Sequence, residues 1–466
     1  MLADFFKKLS STSEVKRKHS WKLEKRFIDA SSKDFALVFY AFITGLVAGG
    51  MGTVFRLTLS HAEKFRDVLY HIEDKANIWL WVKAVLFAII GVYVALYLVR
   101  KFAPEASGSG VQEIEGALDN VTPLRWKRVL PVKFIASLFS LGSGLLLGRE
   151  GPTIQIGANS GKMVKDVFKR PDRDFNTLVS AGAGAGLASA FNAPLAGIIF
   201  VIEEMHGHFR YSFFSLVAIM VASGTADLVV RAFIGADPVI KMTIFQTPSL
   251  PAVWTFVLLG LLFSIIGLLF NKLLIRSLDF FAKLNKRSIV ITALLVGGSI
   301  AVVGILFPEL IGGGYGTVRL VLDNSLSLKF LVILFAGRFV LTLFSYGSGV
   351  PGGIFAPLIS LGVIFGMLYG VVVQNLFPGI ISQSGVFAVA GMAGIFAATV
   401  RAPLTGLVLA VEMTSNFEMI LPLILTTATA SVVTALLGNQ PIYTTLLKRS
   451  LAQRKATLAS LSEDKD

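Results

Sequence analysis

The chain has 466 residues, of which 54% are apolar and only 15% charged, and its mean hydropathy is +0.72. About a quarter of the residues of a soluble domain are charged, so this composition excludes a soluble globular protein. The net charge of +14 does not indicate nucleic-acid binding, because the basic residues cluster in the tails and beside apolar segments, as in membrane proteins. The absence of cysteine excludes disulfides and thiolate metal sites.

Apolar stretches long enough to cross a lipid hydrocarbon core, which takes roughly 17–25 residues, recur along the chain. The clearest are 35–55, 78–99, 253–270, 289–307 and 420–437. Basic residues precede the first stretch and follow the last one, so we expect both ends of the chain in the cytoplasm. We also expect the N-terminus to be retained, since no short apolar segment with a cleavage site opens the chain, and we expect no regulatory domain after the last stretch.

Three further apolar segments are interrupted by Gly and Pro, at 142–157, 181–197 and 347–362. The interruptions predict broken or short helices. Residues 141–157 and 346–362 share seven identical residues of seventeen, and 191–205 resembles 400–414, which predicts two related halves. Broken helices at matching positions of a repeat are typical of transporters that bind substrate near the membrane midplane. The alternative is that the duplicated glycines only let helices pack closely.

The segment 148–152 reads Gly-Arg-Glu-Gly-Pro in apolar surroundings. A carboxylate there costs about 2.5–3.5 kcal/mol on insertion scales, so Glu150 needs a compensating role. Flanking glycines let backbone N–H groups converge and Pro152 suits the first turn of a helix, whose N-terminus attracts anions. We interpret Glu150 as an anion that competes for this site and leaves it when protonated. The alternative is a buried ion pair with Arg149.

Two other segments have the features of anion sites. Residues 108–110, Gly-Ser-Gly, precede a predicted short helix, so the Ser109 hydroxyl and backbone N–H groups would meet there. A serine between glycines can equally be a linker or a helix cap. Residues 352–357 are the second-half counterpart of the Glu150 segment, with Ile354 and Phe355 in place of the Arg-Glu pair, and thus keep the backbone donors without the charge.

The remaining polar candidates have ordinary alternatives. Glu203 and Glu204 end the interrupted segment that begins at 181, and one of them is a candidate proton acceptor reached from the cytoplasm, or else part of a solvated helix end. His206 and His208 are two residues apart and would lie on different sides of a helix, so we predict loop residues and no metal site. Tyr443 taken alone is typical of an interfacial aromatic anchor.

Taken together, these segments resemble the CLC family of chloride channels and chloride/proton antiporters, and the bacterial antiporters most closely. The likeness spans roughly 35–447 and rests on 108–110, 148–152, 352–357 and the late Tyr443, in that order. It implies an all-α, polytopic membrane protein of two inverted halves with many tilted and broken helices, forming a homodimer with one anion pathway per subunit.

The resemblance also implies roles for single residues. By motif position, chloride would be bound by the hydroxyls of Ser109 and Tyr443 and the N–H groups of Ile354 and Phe355. Glu150 would be the external gating glutamate, and Glu204 the internal proton glutamate that family channels generally lack. Gln112 stands where family members usually have proline, so the helix start there is expected to be less rigid.

The resemblance places the parts of the chain as follows. We expect a cytoplasmic segment at 1–34, transmembrane halves at 35–235 and 250–447, and a cytoplasmic tail at 448–466. The first functional hypothesis is chloride/proton antiport across a bacterial inner membrane, with lipid as surroundings and no cofactor. A passive chloride channel on the same fold is the second hypothesis. A third, an intramembrane serine protease using Ser109, would need a base that the five histidines are poorly placed to supply.

Overall fold

The computed structural model of the chain describes residues 32–74, 76–242, 245, 248–323, 326–381 and 383–463. These residues form seventeen α-helices and no strand. Within the same ranges, eight helices are long and apolar enough to cross a membrane. The predicted all-α, polytopic membrane fold is therefore confirmed. The segment 1–34 predicted to be cytoplasmic lies almost entirely outside the described residues, and the boundaries of the predicted halves stay predictions.

The helices of the first half are α1 (Ser32–Tyr70), α2 (Ile78–Phe102), α3 (Val111–Leu118), α4 (Trp126–Gly142), α5 (Glu150–Val167), α6 (Phe175–Phe191), α7 (Pro194–Glu203) and α8 (Phe213–Ile234). Those of the second half are α9 (Val253–Arg287), α10 (Ile289–Leu306), α11 (Tyr315–Asp323), α12 (Leu328–Gly347), α13 (Phe355–Leu376), α14 (Gly385–Thr399), α15 (Pro403–Thr414) and α16 (Ile420–Leu436). The final helix is α17 (Ile442–Glu463). Long and short helices follow one another in the same order in both halves, so the repeat seen in two segments extends over the whole described fold.

The predicted helix breaks lie at matching places in the two halves. Helix α4 ends and α5 begins on either side of residues 143–149, and α12 and α13 are separated in the same way by 348–354. Between α6 and α7, Asn192 adopts a left-handed conformation with φ of 53°, and Arg401 does the same between α14 and α15 with φ of 66°. A left-handed residue ends a helix, and the proline that follows each of them is suited to the first helical turn.

Two helices are longer than their apolar stretches. The first stretch, 35–55, continues as helix to Tyr70, and the stretch 253–270 continues to Arg287. The added turns carry many charged residues, which hydropathy alone assigns to a loop but which have good helix propensity. The first extension is important because its last turns line a cavity together with the loop 312–314 and Tyr315.

Candidate functional site

The broken segments of the two halves meet at the centre of the molecule. Gly148 and Gly353 exchange two backbone hydrogen bonds, each 2.7 Å long. On one side of this pair, Gly108 donates to the Val350 carbonyl at 3.2 Å and accepts from the Gly352 N–H at 3.0 Å. These contacts bring the N-termini of α5 and α13 together beside the loop that precedes α3.

Gly151 shows how closely the three segments approach one another. A Cβ atom at this position would lie 2.9 Å from Ser109 Cα and 3.0 Å from Gly353 Cα, distances that real side chains do not tolerate. A glycine is therefore required here for close approach of backbones. The predicted convergence of 108–110, 148–152 and 352–357 follows from this packing.

Four of the predicted site residues lie together and are fully buried. Ser109, Ile354, Phe355 and Tyr443 are each 0% exposed. The rings of Phe355 and Tyr443 are stacked, with centroids 6.1 Å apart and an interplanar angle of 28°. The burial of Tyr443 argues against an exposed interfacial anchor, which was the interpretation of this residue taken alone.

The hydroxyls of Ser109 and Tyr443 are buried and keep unused hydrogen-bonding capacity. They are close enough to interact electrostatically, but neither makes a hydrogen bond of normal geometry with any atom of the described residues. Buried hydroxyls are nearly always satisfied in native proteins. Two free O–H donors beside the N-terminus of α13, whose first N–H groups have no partner within the helix, form a suitable site for a small, partly dehydrated anion.

Glu150 occupies the opposite edge of this site. Its side chain is 0% exposed and accepts two hydrogen bonds, from the Tyr315 hydroxyl to Oε1 at 2.5 Å and from the Ala356 N–H to Oε2 at 3.4 Å. The carboxylate thus lies at the N-terminus of α13, where the helix dipole favours negative charge.

Arg149 does not neutralise its neighbour. Its Nη2 donates to the Ala190 carbonyl at 3.1 Å, and its guanidinium lies over the Tyr315 ring, 4.9 Å from the centroid. The alternative of a buried Arg149–Glu150 ion pair is therefore not what the structure contains. The Glu150 carboxylate is held by hydrogen-bond donors rather than by a neighbouring cation.

A buried cation holds each of the two Gly-rich loops near the site. Lys133 is 0% exposed and donates to the carbonyls of Ala106 and Gly108 at 3.0 and 2.6 Å. Arg338, also 0% exposed, lies 205 positions later and donates to the Gly312 carbonyl at 2.9 Å. Gly312 is the second-half counterpart of Gly108, so the repeat includes the loops and their cations.

Glu203 and Glu204 have different surroundings although they are adjacent. Glu203 accepts from the N–H groups of Leu404 and Thr405 at 3.0 and 2.7 Å and thereby caps α15, which assigns it a structural contact. Among the described residues, the Glu204 side chain accepts no hydrogen bond from the start of a helix. Its carboxylate is close enough to interact electrostatically with Glu115 and with Tyr443.

The second-half counterpart of Glu203 completes a reciprocal arrangement. Glu412 accepts from the N–H groups of Leu195 and Ala196 at 3.1 and 2.7 Å, so each half caps the broken helix of the other. His206 and His208 lie in the turn after α7, as predicted, and His208 pairs with Asp119 at 2.7 Å. No cluster of metal-ligating side chains occurs among the described residues.

Two cavities approach the site from different sides. One, with a volume of about 790 Å³, is lined by residues of α1, the loop 312–314 and Tyr315. The other, of about 240 Å³, is lined by Gly108, Gln112 and residues of α17 such as Arg449. Gln112 is 9% exposed and its Oε1 has no hydrogen-bond partner in the described structure, so a polar amide lines this second cavity.

Three residues of the site were missed in the sequence, namely Tyr315, Lys133 and Arg338. The repeat contained the signal, because residues 104–110 read Pro-Glu-Ala-Ser-Gly-Ser-Gly and 308–314 read Pro-Glu-Leu-Ile-Gly-Gly-Gly. Extending the internal alignment upstream would have marked the second loop and the aromatic hydroxyl that follows it.

Comparison with known proteins supports the resemblance found in the sequence motifs. The family described as voltage gated chloride channel matches residues 91–435. The H(+)/Cl(-) exchange transporter ClcA of Vibrio parahaemolyticus serotype O3:K6 is 45% identical over 443 residues, which cover 94% of this chain and 95% of that protein. The protein of the same name from Salmonella gallinarum is 41% identical over 445 residues, 94% of each chain.

Solved structures agree with these relatives. A slow cyanobacterial Cl−/H+ antiporter matches with a TM-score of 0.87 and 39% identity, over 90% of this chain and 99% of that one. A eukaryotic CLC transporter at 22% identity and a TM-score of 0.74 covers 88% of this chain and 73% of its own, and supports the fold alone. The resemblance found in the motifs is confirmed, and the chain belongs to the voltage gated chloride channel family, the CLC family of membrane proteins.

Proposed function

We propose that the protein exchanges chloride for protons across the membrane, with Glu150 as the gate. The observation that carries the proposal is the position of the Glu150 carboxylate, which accepts a hydrogen bond at the N-terminus of α13, next to the hydroxyls and N–H groups suited to chloride. Carboxylate and chloride exclude each other from this place. The relatives named exchange transporters favour exchange over a passive channel and a transporter over an enzyme.

Proton coupling follows from the chemistry of the carboxylate. An ionised Glu150 is attracted by the helix dipole and by its hydrogen-bond donors. Once protonated it loses this charge, and chloride displaces it. Glu204 is the candidate for the internal end of the proton route, since its carboxylate is not used to cap the start of a helix and is close enough to Tyr443 to interact with it.

Purified protein in liposomes tests the proposal. An outward chloride gradient should drive protons uphill into the liposomes, measured with a pH electrode and a chloride electrode in parallel. Glu150→Gln should keep chloride flux and lose proton movement, because a neutral amide cannot carry the proton. Chloride flux without proton flux in the unmodified protein would favour the passive channel, and unchanged coupling in Glu150→Gln would exclude Glu150 as the gate.

We further propose that the protein is a homodimer in a bacterial inner membrane with both ends in the cytoplasm. The resemblance to CLC proteins and the basic tails support this. Many apolar side chains exposed on the single chain, such as Leu228, Phe233 and Leu436, need cover by lipid or by a second copy. Mass determination of the detergent-solubilised protein by light scattering should give twice the chain mass of 50.2 kDa, and a monomer would contradict the dimer.

A further inference from the structure

We infer that Tyr315 is a positioning residue that holds Glu150 in the closed conformation of the gate. The inference rests on the proposed function, because it concerns how the gating carboxylate is retained. Tyr315 belongs to none of the motifs by which the chain resembles its family. It opens α11 and lines the cavity of about 790 Å³.

The two hydrogen bonds to Glu150 are unequal. The bond from the Tyr315 hydroxyl is 2.5 Å long, and the bond from the Ala356 N–H is 3.4 Å long. Short O–H···O bonds to an ionised carboxylate are roughly twice as strong as bonds between neutral groups, whereas a 3.4 Å contact is weak. The protein therefore holds the closed carboxylate mainly through the Tyr315 hydroxyl.

Tyr315 is itself fixed on both sides. The preceding Gly314 has a φ of 112°, which sets the direction in which α11 starts. Arg338 donates to the Gly312 carbonyl before this turn at 2.9 Å and to Thr317 Oγ1 after it at 2.9 Å. The guanidinium of Arg149 covers the ring, and such a cation–π contact restricts its tilt. The hydroxyl is thus pre-organised at the place where the carboxylate arrives.

The internal repeat relates the loop before Tyr315 to the loop that contains Ser109. The loop 312–314 is the second-half counterpart of 108–110, and each loop is held by a buried cation. In the first half the hydroxyl precedes the second glycine, at Ser109, and faces the anion site. In the second half it follows the third and last glycine of the loop, at Tyr315, and binds the carboxylate that takes the place of an anion.

The inference predicts a change in chloride affinity. Chloride must displace the carboxylate, so its apparent dissociation constant increases with the stability of the closed conformation. Removing a hydrogen bond to a charged group favours displacement by about tenfold. Titration calorimetry of the purified full chain should show chloride binding on the order of tenfold tighter in Tyr315→Phe, up to the limit set by Glu150→Ala.

The control is a matched loss of a buried hydroxyl away from the site. Tyr369 donates to the Thr255 carbonyl at 2.8 Å and touches neither Glu150 nor the cavities, so Tyr369→Phe should leave chloride affinity unchanged. If Tyr315→Phe does not yield folded protein, Tyr315→Leu removes the same hydroxyl and should change the affinity in the same direction. Gel filtration and melting temperature establish that each variant is folded.

A double variant tests whether the Tyr315 hydroxyl acts on chloride binding through the Glu150 carboxylate. In a Glu150→Ala background, Tyr315→Phe should have no further effect, because its hydroxyl acts only through the carboxylate. Equal tightening in that background, or no tightening when Glu150 is present, would overturn the role of Tyr315 while leaving the gate in place. If Glu150→Ala itself changes neither chloride affinity nor proton coupling, the gate fails, and the inference fails with it.

Discussion

Lys133 and Arg338 are buried cations whose hydrogen bonds go to carbonyl and hydroxyl oxygens. These oxygens compensate the two positive charges. Without them, burying the charges away from water would be costly. Two such charges flanking the centre of the molecule raise the local potential and favour anions there. Each cation also fixes a Gly-rich loop whose backbone has few contacts of its own.

At the residue scale, Arg338→Met should destabilise the protein by about 3 kcal/mol. The substitution leaves the carbonyls of Ile311 and Gly312 without their donor, and buried polar groups that lose a charged partner are among the most costly changes. The melting temperature of the detergent-solubilised protein measures the effect. The exposed Arg128→Met makes the same chemical change at the surface and should have almost none. An equal fall in melting temperature in both variants would show that Arg338 does not stabilise the loop through these hydrogen bonds.

A second prediction at this scale concerns the free hydroxyls. Ser109→Ala should weaken chloride binding about fivefold, since a neutral hydrogen bond contributes about 1 kcal/mol, without lowering the melting temperature. Ser264→Ala is the matched control, because that hydroxyl is also buried but already donates within the protein, to Gly260 and Ala430. It should alter stability and not chloride binding. An unchanged chloride affinity in Ser109→Ala would remove this hydroxyl from the anion site.

At the scale of elements, the short helices α7 and α15 illustrate how the halves are joined. Each begins after a left-handed residue and has, in its last turn, a glutamate that caps the start of the other. The four N–H groups at a helix start need acceptors, and in the membrane interior water does not supply them. The reciprocal caps therefore explain why a Glu is kept at both positions of the repeat.

These caps predict different results for two neighbouring glutamates. Glu203→Ala should lower stability by about 1–2 kcal/mol, the cost of a lost cap, and still permit proton-coupled exchange. Glu204→Gln should preserve the melting temperature and abolish proton movement, because it removes the candidate internal proton carrier. Glu412→Ala, the second-half cap, is the control for Glu203. If proton movement survives Glu204→Gln and is lost in Glu203→Ala, the two assignments are reversed.

The sequence predicted the elements that carry recognisable chemistry and missed those whose role is to support them. Glycine and proline marked the breaks beside Glu150 and Phe355, since both residues act through local backbone geometry. Arg338 and Lys133 were missed because a buried cation is recognised by the oxygens around it, which come from distant parts of the chain. Tyr315 was missed because the two copies of its loop share glycines but place their hydroxyls on different residues.

At the scale of the whole molecule, the two cavities are related by the repeat and face opposite ends of the helices. The cavity of Tyr315 is lined by the end of α1 and His71, next to the connection between α1 and α2. The cavity of Gln112 is lined by α17. Tyr315, which donates to Glu150, lines the first cavity, and Gly108, which precedes Ser109, lines the second.

This arrangement predicts the orientation of the protein. If the chain ends are cytoplasmic, α1 crosses the membrane once and the exposed Glu73 that follows it faces outward, together with the cavity of Tyr315 and Glu150. Lys455, on α17, then faces the cytoplasm. Because the chain contains no cysteine, a single introduced thiol is labelled without background.

A membrane-impermeant maleimide should label Glu73→Cys in intact spheroplasts and Lys455→Cys only after lysis, with the unmodified chain as the unlabelled control. The reverse pattern would place both ends outside and make Glu150 the cytoplasmic gate.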